Sequence, residues 1–392
     1  MCERGDPGRP HGPTALAGLC VVEFGSWGVL YYTLPVIGTT ITTSTSWSPP
    51  AVPAIYTATL LTAAASGSWA GRMVDKHGPR PVMAGGSALG AAALALSGAT
   101  SSIVLFTAAW LVIGVAQACT LYQPAFAAAA RWFGTTSNRP LTIITLAGGI
   151  SSTVFAPVIA ALAKGLGWQI TLVLLACGYF AVVSSATVLL LRLPWQSPTR
   201  QGRDHTMFVN QIVRSRVFRD TRLALALVAL GLYAVTLNMV PLLTELGFDY
   251  GAAALVFGLI GAGQILGRLL FLPLGRRGTP RSRTVVQVTA SATVIGLLAV
   301  LSSPLVLVAA VAVLAGAVRG AHTLSAATAL TDRWGTDSFA TIQGRFNVPV
   351  AGAMAIGPAV GAYAALLLDS YRAAAGLLAC LSLTAIWIAR RT

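Results

Sequence analysis

The sequence is poor in charge. Only 9% of its 392 residues are Asp, Glu, Lys or Arg, whereas 55% are apolar and the mean hydropathy is +0.75. A soluble globular protein carries about 25% charged residues, because its surface must stay in contact with water. Most of the surface of this chain must therefore face something other than water, which excludes an ordinary soluble protein.

Recognisable metal and nucleotide motifs are also lacking. The five Cys and four His are scattered, with no CxxC or CxxH spacing, so we predict neither a zinc site nor a disulfide framework. No Gly-rich P-loop is present to bind the phosphates of ATP. An enzyme acting on lipid should show clustered His, Asp or Cys, and the four His do not cluster. We therefore expect no cofactor, no metal and no enzymatic activity.

What the sequence does contain is apolar runs. None alternates as a strand would, and most approach the length of about 20 residues that a membrane-spanning helix needs. The twelve predicted spans, numbered in chain order, are 16–38, 51–71, 81–99, 102–130, 140–163, 169–193, 222–243, 251–274, 284–301, 304–331, 341–367 and 369–389. The predicted fold class is an all-α membrane protein of twelve transmembrane helices.

Basic residues alternate between successive loops. The loop 192–222 contains seven Arg, whereas the loops 39–50 and 244–250 contain no Arg or Lys. Because Arg and Lys mark the cytoplasmic loops of membrane proteins, we expect a multi-pass protein of the cell membrane with both termini in the cytoplasm. The alternation also explains the net charge of +15 without a nucleic-acid partner.

The two halves of the chain repeat. The segment Gly67–Arg72 of span 2 recurs as Gly263–Arg268 of span 8, in the same orientation. Parallel repeats of this kind are typical of carriers whose halves are related by an axis along the membrane normal. The predicted domains are an N-terminal six-helix half (1–193), a cytoplasmic linker (194–221) and a C-terminal six-helix half (222–392).

The loop after span 2 carries a recognisable motif. It reads Gly71-Arg-Met-Val-Asp75-Lys76-His-Gly78-Pro-Arg80. This resembles the signature G-x-x-x-D-[RK]-x-G-x-[RK] of the major facilitator superfamily, at the position where that superfamily has it. The resemblance implies the twelve-helix major facilitator fold, a small-molecule substrate and transport by alternating access. It also implies a conformational latch formed by Asp75, with Lys76 and Arg80 as its local ionic partners.

A narrower resemblance concerns span 1. The segment Glu23-Phe-Gly25-Ser26-Trp27-Gly28 is similar to the first span of bacterial relatives of the monocarboxylate porters, apart from an inserted Phe24. This resemblance implies a small organic anion, monocarboxylate-like, as the substrate. We expect the carrier to be a monomer in the lipid bilayer.

Ionisable and polar side chains inside the spans are the candidate functional residues, because a charge at the bilayer centre costs about 3 kcal/mol or more. The superfamily resemblance implies that spans 1, 4, 7 and 10 line a central cavity. Glu23 of span 1 is the candidate for proton coupling, and its helical face continues through Trp27 and Tyr31. The candidate substrate-binding residues are Arg319, Tyr31, Gln117, Tyr122, Asn238 and His322.

Several alternatives stay open. Arg319 either binds an anionic group through two N–H donors or merely neutralises Glu23 in a structural ion pair. An aromatic cavity would also suit the substrates of a multidrug or metabolite efflux carrier of the same fold. The alternative from another class of protein is a non-transporting membrane sensor.

Overall fold

A computed structural model describes residues 12–48, 51–134, 137–195, 202–274, 278–301 and 304–392 of the chain. Throughout these residues the regular secondary structure is helical, which confirms the predicted all-α fold class. Nine helical segments among them are long and apolar enough to cross a membrane by length and composition. One of the nine, Asn138–Leu190, contains both span 5 and span 6.

The described helices follow the predicted spans. In chain order they are Gly12–Ser26 and Thr33–Ser44 in span 1, Ala51–His77 in span 2, Pro79–Gly98 in span 3, Ile103–Thr120 and Tyr122–Phe133 in span 4, Asn138–Tyr179 and Ser185–Leu190 across spans 5 and 6, Gly202–Arg214 in the linker, Arg216–Leu237 and Met239–Glu245 in span 7, Tyr250–Leu274 in span 8, Pro280–Val300 in span 9, Leu305–Trp334 in span 10, Phe339–Leu368 in span 11, and Tyr371–Ala389 in span 12. Spans 5 and 6 join at Gly167, whose φ of 78° lies in the left-handed region that glycine adopts without strain.

Spans 1 and 7 are each interrupted near the middle. In span 1 a π-helical turn, Trp27–Tyr31, separates two α-helices, and the Tyr32 N–H donates to the Trp27 carbonyl over 3.0 Å. In span 7 the first helix ends before Asn238 and a second one begins at Met239. Pro35 lies three residues after Tyr32, which follows the π-helical turn of span 1, and Pro241 lies three residues after Asn238 of span 7. Proline supplies no N–H to a helix.

The chain forms two compact units. One contains the described residues up to Val209 together with Thr336–Val348, and the other contains Asn210–Gly335 and Pro349–Thr392. The first turns of span 11 therefore belong to the first unit. We refer to these as unit 1 and unit 2.

Glycines allow close helix packing inside unit 2. A Cβ atom on Gly267 of span 8 would collide with the Ala317 carbonyl of span 10, and one on Gly320 of span 10 would collide with the Gln264 carbonyl of span 8. Backbones at this separation leave no room for any side chain. Small residues at helix crossings are the usual means by which membrane helices gain van der Waals contact.

Glu245 and Arg372 together join the ends of three spans in unit 2. Glu245, at the end of span 7, accepts hydrogen bonds from the Ser370 hydroxyl and the Tyr371 N–H, each over 2.5 Å, at the start of span 12. Arg372 donates from its Nε to the Ala299 carbonyl, in the last turn of span 9, over 3.0 Å. A negative charge is favourable at the N-terminus of a helix, where N–H groups lack partners.

The glycine crossing generates the first prediction. Gly267→Ala should destabilise unit 2 by about 1–3 kcal/mol, because the backbones of spans 8 and 10 must separate to admit one methyl group. Gly261→Ala is the matched control on the same helix, since no atom lies within 4 Å of its Cβ position. Thermal unfolding of both variants in detergent measures the difference. Equal melting temperatures would show that the crossing is not tightly packed.

The second prediction concerns Glu245 and pH. Partial burial alone would raise the pKa of Glu245, but the hydrogen bonds from Ser370, Tyr371 and Arg372 and the charge of Arg372 hold the pKa below its usual range. The stabilisation by the ionised carboxylate is therefore present above the ordinary carboxyl pKa of 4.5 and is lost as the pH falls through the lower, folded-state value.

Glu245→Gln should accordingly lower the stability at pH 7, by about 0.3–1 kcal/mol and nearer the lower figure because the carboxylate is exposed. The difference from the unmodified protein should shrink as the pH falls below 4.5. Asp369→Asn removes a neighbouring exposed charge and serves as the control in the same thermal unfolding series. A difference that stays constant across this pH range would contradict the assignment.

Candidate functional site

Each unit contains a polar side chain that reaches the interrupted span. In unit 1 the Gln117 side chain of span 4 donates from Nε2 to the Leu30 carbonyl of span 1, over 2.8 Å. In unit 2 the Arg319 side chain of span 10 donates from Nη1 to the Thr236 hydroxyl of span 7, over 3.1 Å. Gln117 and Arg319 are 202 positions apart, and Leu30 and Thr236 are 206 apart. The internal repeat thus extends to the contacts of the candidate site.

Arg319 retains unused donor capacity. Its guanidinium carbon lies 3.9 Å from the centroid of the Tyr233 ring, a cation–π contact. Its Nε is buried and has no hydrogen-bond partner among the described residues. Within the described part of unit 2, no carboxylate lies within 4.0 Å of this guanidinium. A buried donor without a partner is costly, so an anionic group that accepted from it would be bound favourably.

In unit 1 the indole of Trp27 links the predicted residues to one another. Trp27 donates from Nε1 to the Glu23 carboxylate over 2.9 Å. Its ring centroid lies 4.5 Å from that of Tyr31 and 4.8 Å from that of Tyr122. We call these three aromatic residues, with Tyr32 and Tyr56, the aromatic cluster.

The carboxyl group of Glu23 is enclosed. Its side chain is completely buried, and its Oε1 has no hydrogen-bond partner. On the same side of span 1, the Ser26 hydroxyl and the Tyr179 hydroxyl of span 6 are 2.9 Å apart and buried. The neighbourhood of Glu23 therefore contains hydroxyl groups and one indole donor, but within the described part of unit 1 no basic side chain forms an ion pair with it.

The structure gives the remaining candidate residues different surroundings. Asn238 donates from Nδ2 to the carbonyls of Ala234 (2.8 Å) and Pro358 (3.0 Å), so it ties the interruption of span 7 to span 11. His322 is 2% exposed, and neither ring nitrogen has a hydrogen-bond partner in the part of the chain that the structure describes. Neither residue hydrogen-bonds to Arg319. Tyr233, which does contact Arg319, was absent from the predicted set.

The motif after span 2 has a buried carboxylate. Asp75 is 5% exposed and accepts from the backbone N–H groups of Thr341 (2.7 Å) and Ala340 (3.3 Å), in the first turn of span 11. A Cβ on Gly71, one turn before Asp75, would collide with the Ala340 carbonyl. All of these residues belong to unit 1. The sequence identified Asp75, but these backbone donors lie more than 260 positions away and carry no sequence signal.

The segment after span 6 also contacts this motif. Trp195 donates from Nε1 to the Asp75 carbonyl over 3.1 Å, and its ring covers Gly78. His205 of the linker helix is hydrogen-bonded to the Ser338 hydroxyl over 3.0 Å. Of the predicted ionic partners, Arg80 donates to the Val188 carbonyl over 2.8 Å and Lys76 is exposed. Residues 196–201 of the predicted linker lie outside the described residues.

The fold and the motif after span 2 define a multi-pass membrane transporter. The chain belongs to the Major Facilitator Superfamily, whose family model matches residues 19–348. The superfamily and the twelve-helix fold predicted from the sequence are thereby confirmed.

Curated relatives match part of the chain. Monocarboxylate transporter 13 of Rattus norvegicus is 28% identical over 195 residues, which are 50% of this chain and 45% of the rat protein. The chain thus spans less than half the length of this relative.

Solved structures match almost all of the chain. FucP, the fucose:proton symporter of E. coli, in its outward conformation, has a TM-score of 0.75 at 15% identity and covers 96% of this chain and 98% of its own. The human organic anion transporter MFSD10 has a TM-score of 0.74 at 16% identity and covers 98% of this chain and 100% of its own. At these identities the likeness is one of fold alone.

Proposed function

We propose that the protein is a secondary active transporter that moves a small, monocarboxylate-like organic anion by alternating access, with proton coupling through Glu23. The observation that carries this proposal is Arg319, a permanently charged group in the middle of span 10 with a buried Nε that has no partner. A charged side chain inside a membrane span is costly, so its presence there makes it a candidate functional residue. The names of the rat relative and of the human structural neighbour point to the same substrate class.

Arg319 is the proposed anchor of the carboxylate. Thr236 and Tyr233 hold the guanidinium from one side, over 3.1 Å and 3.9 Å, and leave Nε free. A planar guanidinium can present two parallel N–H groups to a carboxylate. We also propose Tyr31, Tyr122 and Gln117 of unit 1 as substrate-binding residues. Asn238 and His322 stay candidates for the same role.

Asp75 is the proposed conformational latch. Its carboxylate caps the first turn of span 11 and stabilises that contact by charge as well as by hydrogen bonding. Trp195 and His205 support the same contact from the segment that follows span 6. Lys76 and Arg80 complete the motif.

We further propose that both termini are cytoplasmic, that the linker is residues 194–221 between halves 1–193 and 222–392, and that the carrier is a monomer in the cell membrane.

The third prediction tests the latch. Asp75→Asn keeps an acceptor oxygen but removes the charge that faces the N-terminus of span 11, so it should weaken the contact by up to about 2 kcal/mol. Distances between spin labels on the cytoplasmic ends should shift towards an inward-open distribution. Asp204→Asn removes an exposed carboxylate of the linker helix and is the control. Unchanged distances in the Asp75 variant would contradict the latch.

The fourth prediction tests the anchor. Arg319→Gln introduces the residue that the repeat has at the equivalent position, Gln117, so the span should still pack while anion binding is lost. Arg319→Lys keeps the charge but lacks the planar fork, and it should weaken binding at least about tenfold.

The measurement is a thermal-shift screen of the purified protein against monocarboxylates, amino acids and cationic drugs. Transport of the best ligand is then followed in proteoliposomes. Robust anion transport by Arg319→Gln would show that Arg319 only balances charge. Stabilisation by cationic drugs alone would favour an efflux carrier instead.

A further inference from the structure

The hydrogen bond that holds Arg319 uses an acceptor that the other half of the repeat lacks. In unit 1, Gln117 donates to the backbone carbonyl of Leu30. In unit 2, Arg319 donates instead to the side-chain hydroxyl of Thr236, which lies 206 positions after Leu30. A hydroxyl thus replaces an apolar side chain where the repeat replaces an amide by a guanidinium.

The Thr236 hydroxyl acts towards Arg319 only as an acceptor. Its single hydrogen is donated to the Leu232 carbonyl, one turn back on span 7, over 2.5 Å. The guanidinium in turn has donors and no acceptor. The acceptor is also fixed in place, because Thr236 is 1% exposed and Asn238, two residues later, bonds the Ala234 carbonyl and span 11. The hydroxyl therefore holds Nη1 of Arg319 in one direction.

The contacts of Arg319 leave one edge of the guanidinium for a ligand. Nη1 is bonded to Thr236, and the Tyr233 ring covers one face, with its centroid 3.9 Å from the guanidinium carbon. The described residues provide no hydrogen-bond acceptor to Nε or Nη2, which lie side by side on the remaining edge. Two parallel N–H groups match the two coplanar oxygens of a carboxylate. A monatomic anion such as bromide has one centre and cannot use both groups in this way.

We infer that Thr236 is a positioning residue that fixes the plane of the Arg319 guanidinium, and that Thr236 and Tyr233 together make the site prefer carboxylates to monatomic anions. Without the hydroxyl, Nη1 would lose its acceptor, and the guanidinium could turn about its side-chain bonds. The positive charge would still attract any anion, but the two-point contact would be lost. This inference rests on the proposed function and deepens it by naming the residues that select the ligand.

The test compares propionate and bromide, two monovalent anions, as their sodium salts. Their dissociation constants follow from the concentration dependence of the thermal stabilisation of the purified protein, after subtraction of the salt effect measured on Arg319→Gln. Thr236→Val keeps the shape of the side chain but removes the hydroxyl. It should weaken propionate binding about tenfold while bromide binding changes little. Thr236→Ser restores the hydroxyl and should restore the preference for propionate.

Thr221→Val is the matched control. Thr221 lies on the same helix, about four turns before Thr236. It is completely buried, and its hydroxyl donates to the Val217 carbonyl, one turn back, over 2.7 Å. The same change of side chain thus occurs away from Arg319, so both dissociation constants should equal those of the unmodified protein.

A second variant keeps the test decisive if Thr236→Val does not fold. Tyr233→Leu uncovers one face of the guanidinium and should lower the preference for propionate over bromide at least about threefold. An unchanged ratio of the two dissociation constants in the variant that folds would overturn the inference, and so would equal affinity for the two anions in the unmodified protein. If no monocarboxylate stabilises the unmodified protein more than it stabilises Arg319→Gln, the proposed function itself fails, which is a distinguishable result.

Discussion

Inside a bilayer, every backbone N–H and C=O group that a helix does not satisfy must be satisfied by another part of the protein. This constraint explains the polar residues at the two interrupted spans. Gln117 satisfies the Leu30 carbonyl within the π-helical turn of span 1, and Asn238, at the interruption of span 7, donates to the Ala234 carbonyl of span 7 and the Pro358 carbonyl of span 11. These amides would otherwise be read only as substrate contacts. Part of the polarity of spans 4 and 7 therefore maintains the interruptions themselves.

The lipid that surrounds the helices also removes the hydrophobic driving force for helix association. The helices must therefore be held together by close van der Waals packing and by charged or hydrogen-bonding groups. Gly267 and Gly320 bring spans 8 and 10 of unit 2 to backbone contact, and Gly71 does the same for span 2 against the start of span 11. At that close approach the Asp75 carboxylate reaches two backbone N–H groups. Gly71 and Asp75 of the motif therefore depend on each other, since a larger residue at position 71 would move the Asp75 carboxylate away from its backbone donors.

The fold could be predicted because its signals are summed over many residues. Apolar length, alternating loop charge and a repeat identify twelve spans even where single positions are ambiguous. The site was harder, because its geometry depends on contacts between distant residues. Glu23 and Tyr31 contact Trp27 as their spacing along span 1 indicated, whereas the contact with Tyr122 of span 4 had no signal in the spacing. The contact of Tyr233 with Arg319 joins spans 7 and 10, and no sequence pattern indicates which side chain of span 7 meets the guanidinium.

The internal repeat also shows how one arrangement has acquired two chemistries. Trp27 and Tyr233 are aromatic residues that lie 206 positions apart in the sequence. Trp27 donates a hydrogen bond to the Glu23 carboxylate, whereas Tyr233 contacts the Arg319 guanidinium. Gln117 and Arg319 are likewise equivalent, but only the second is charged. An interrupted span is present in both units, although only unit 1 has the acid Glu23 and only unit 2 has the cation Arg319. The interruption itself therefore does not depend on these charges. The acid in unit 1 and the cation in unit 2 are therefore specialisations of a shared scaffold.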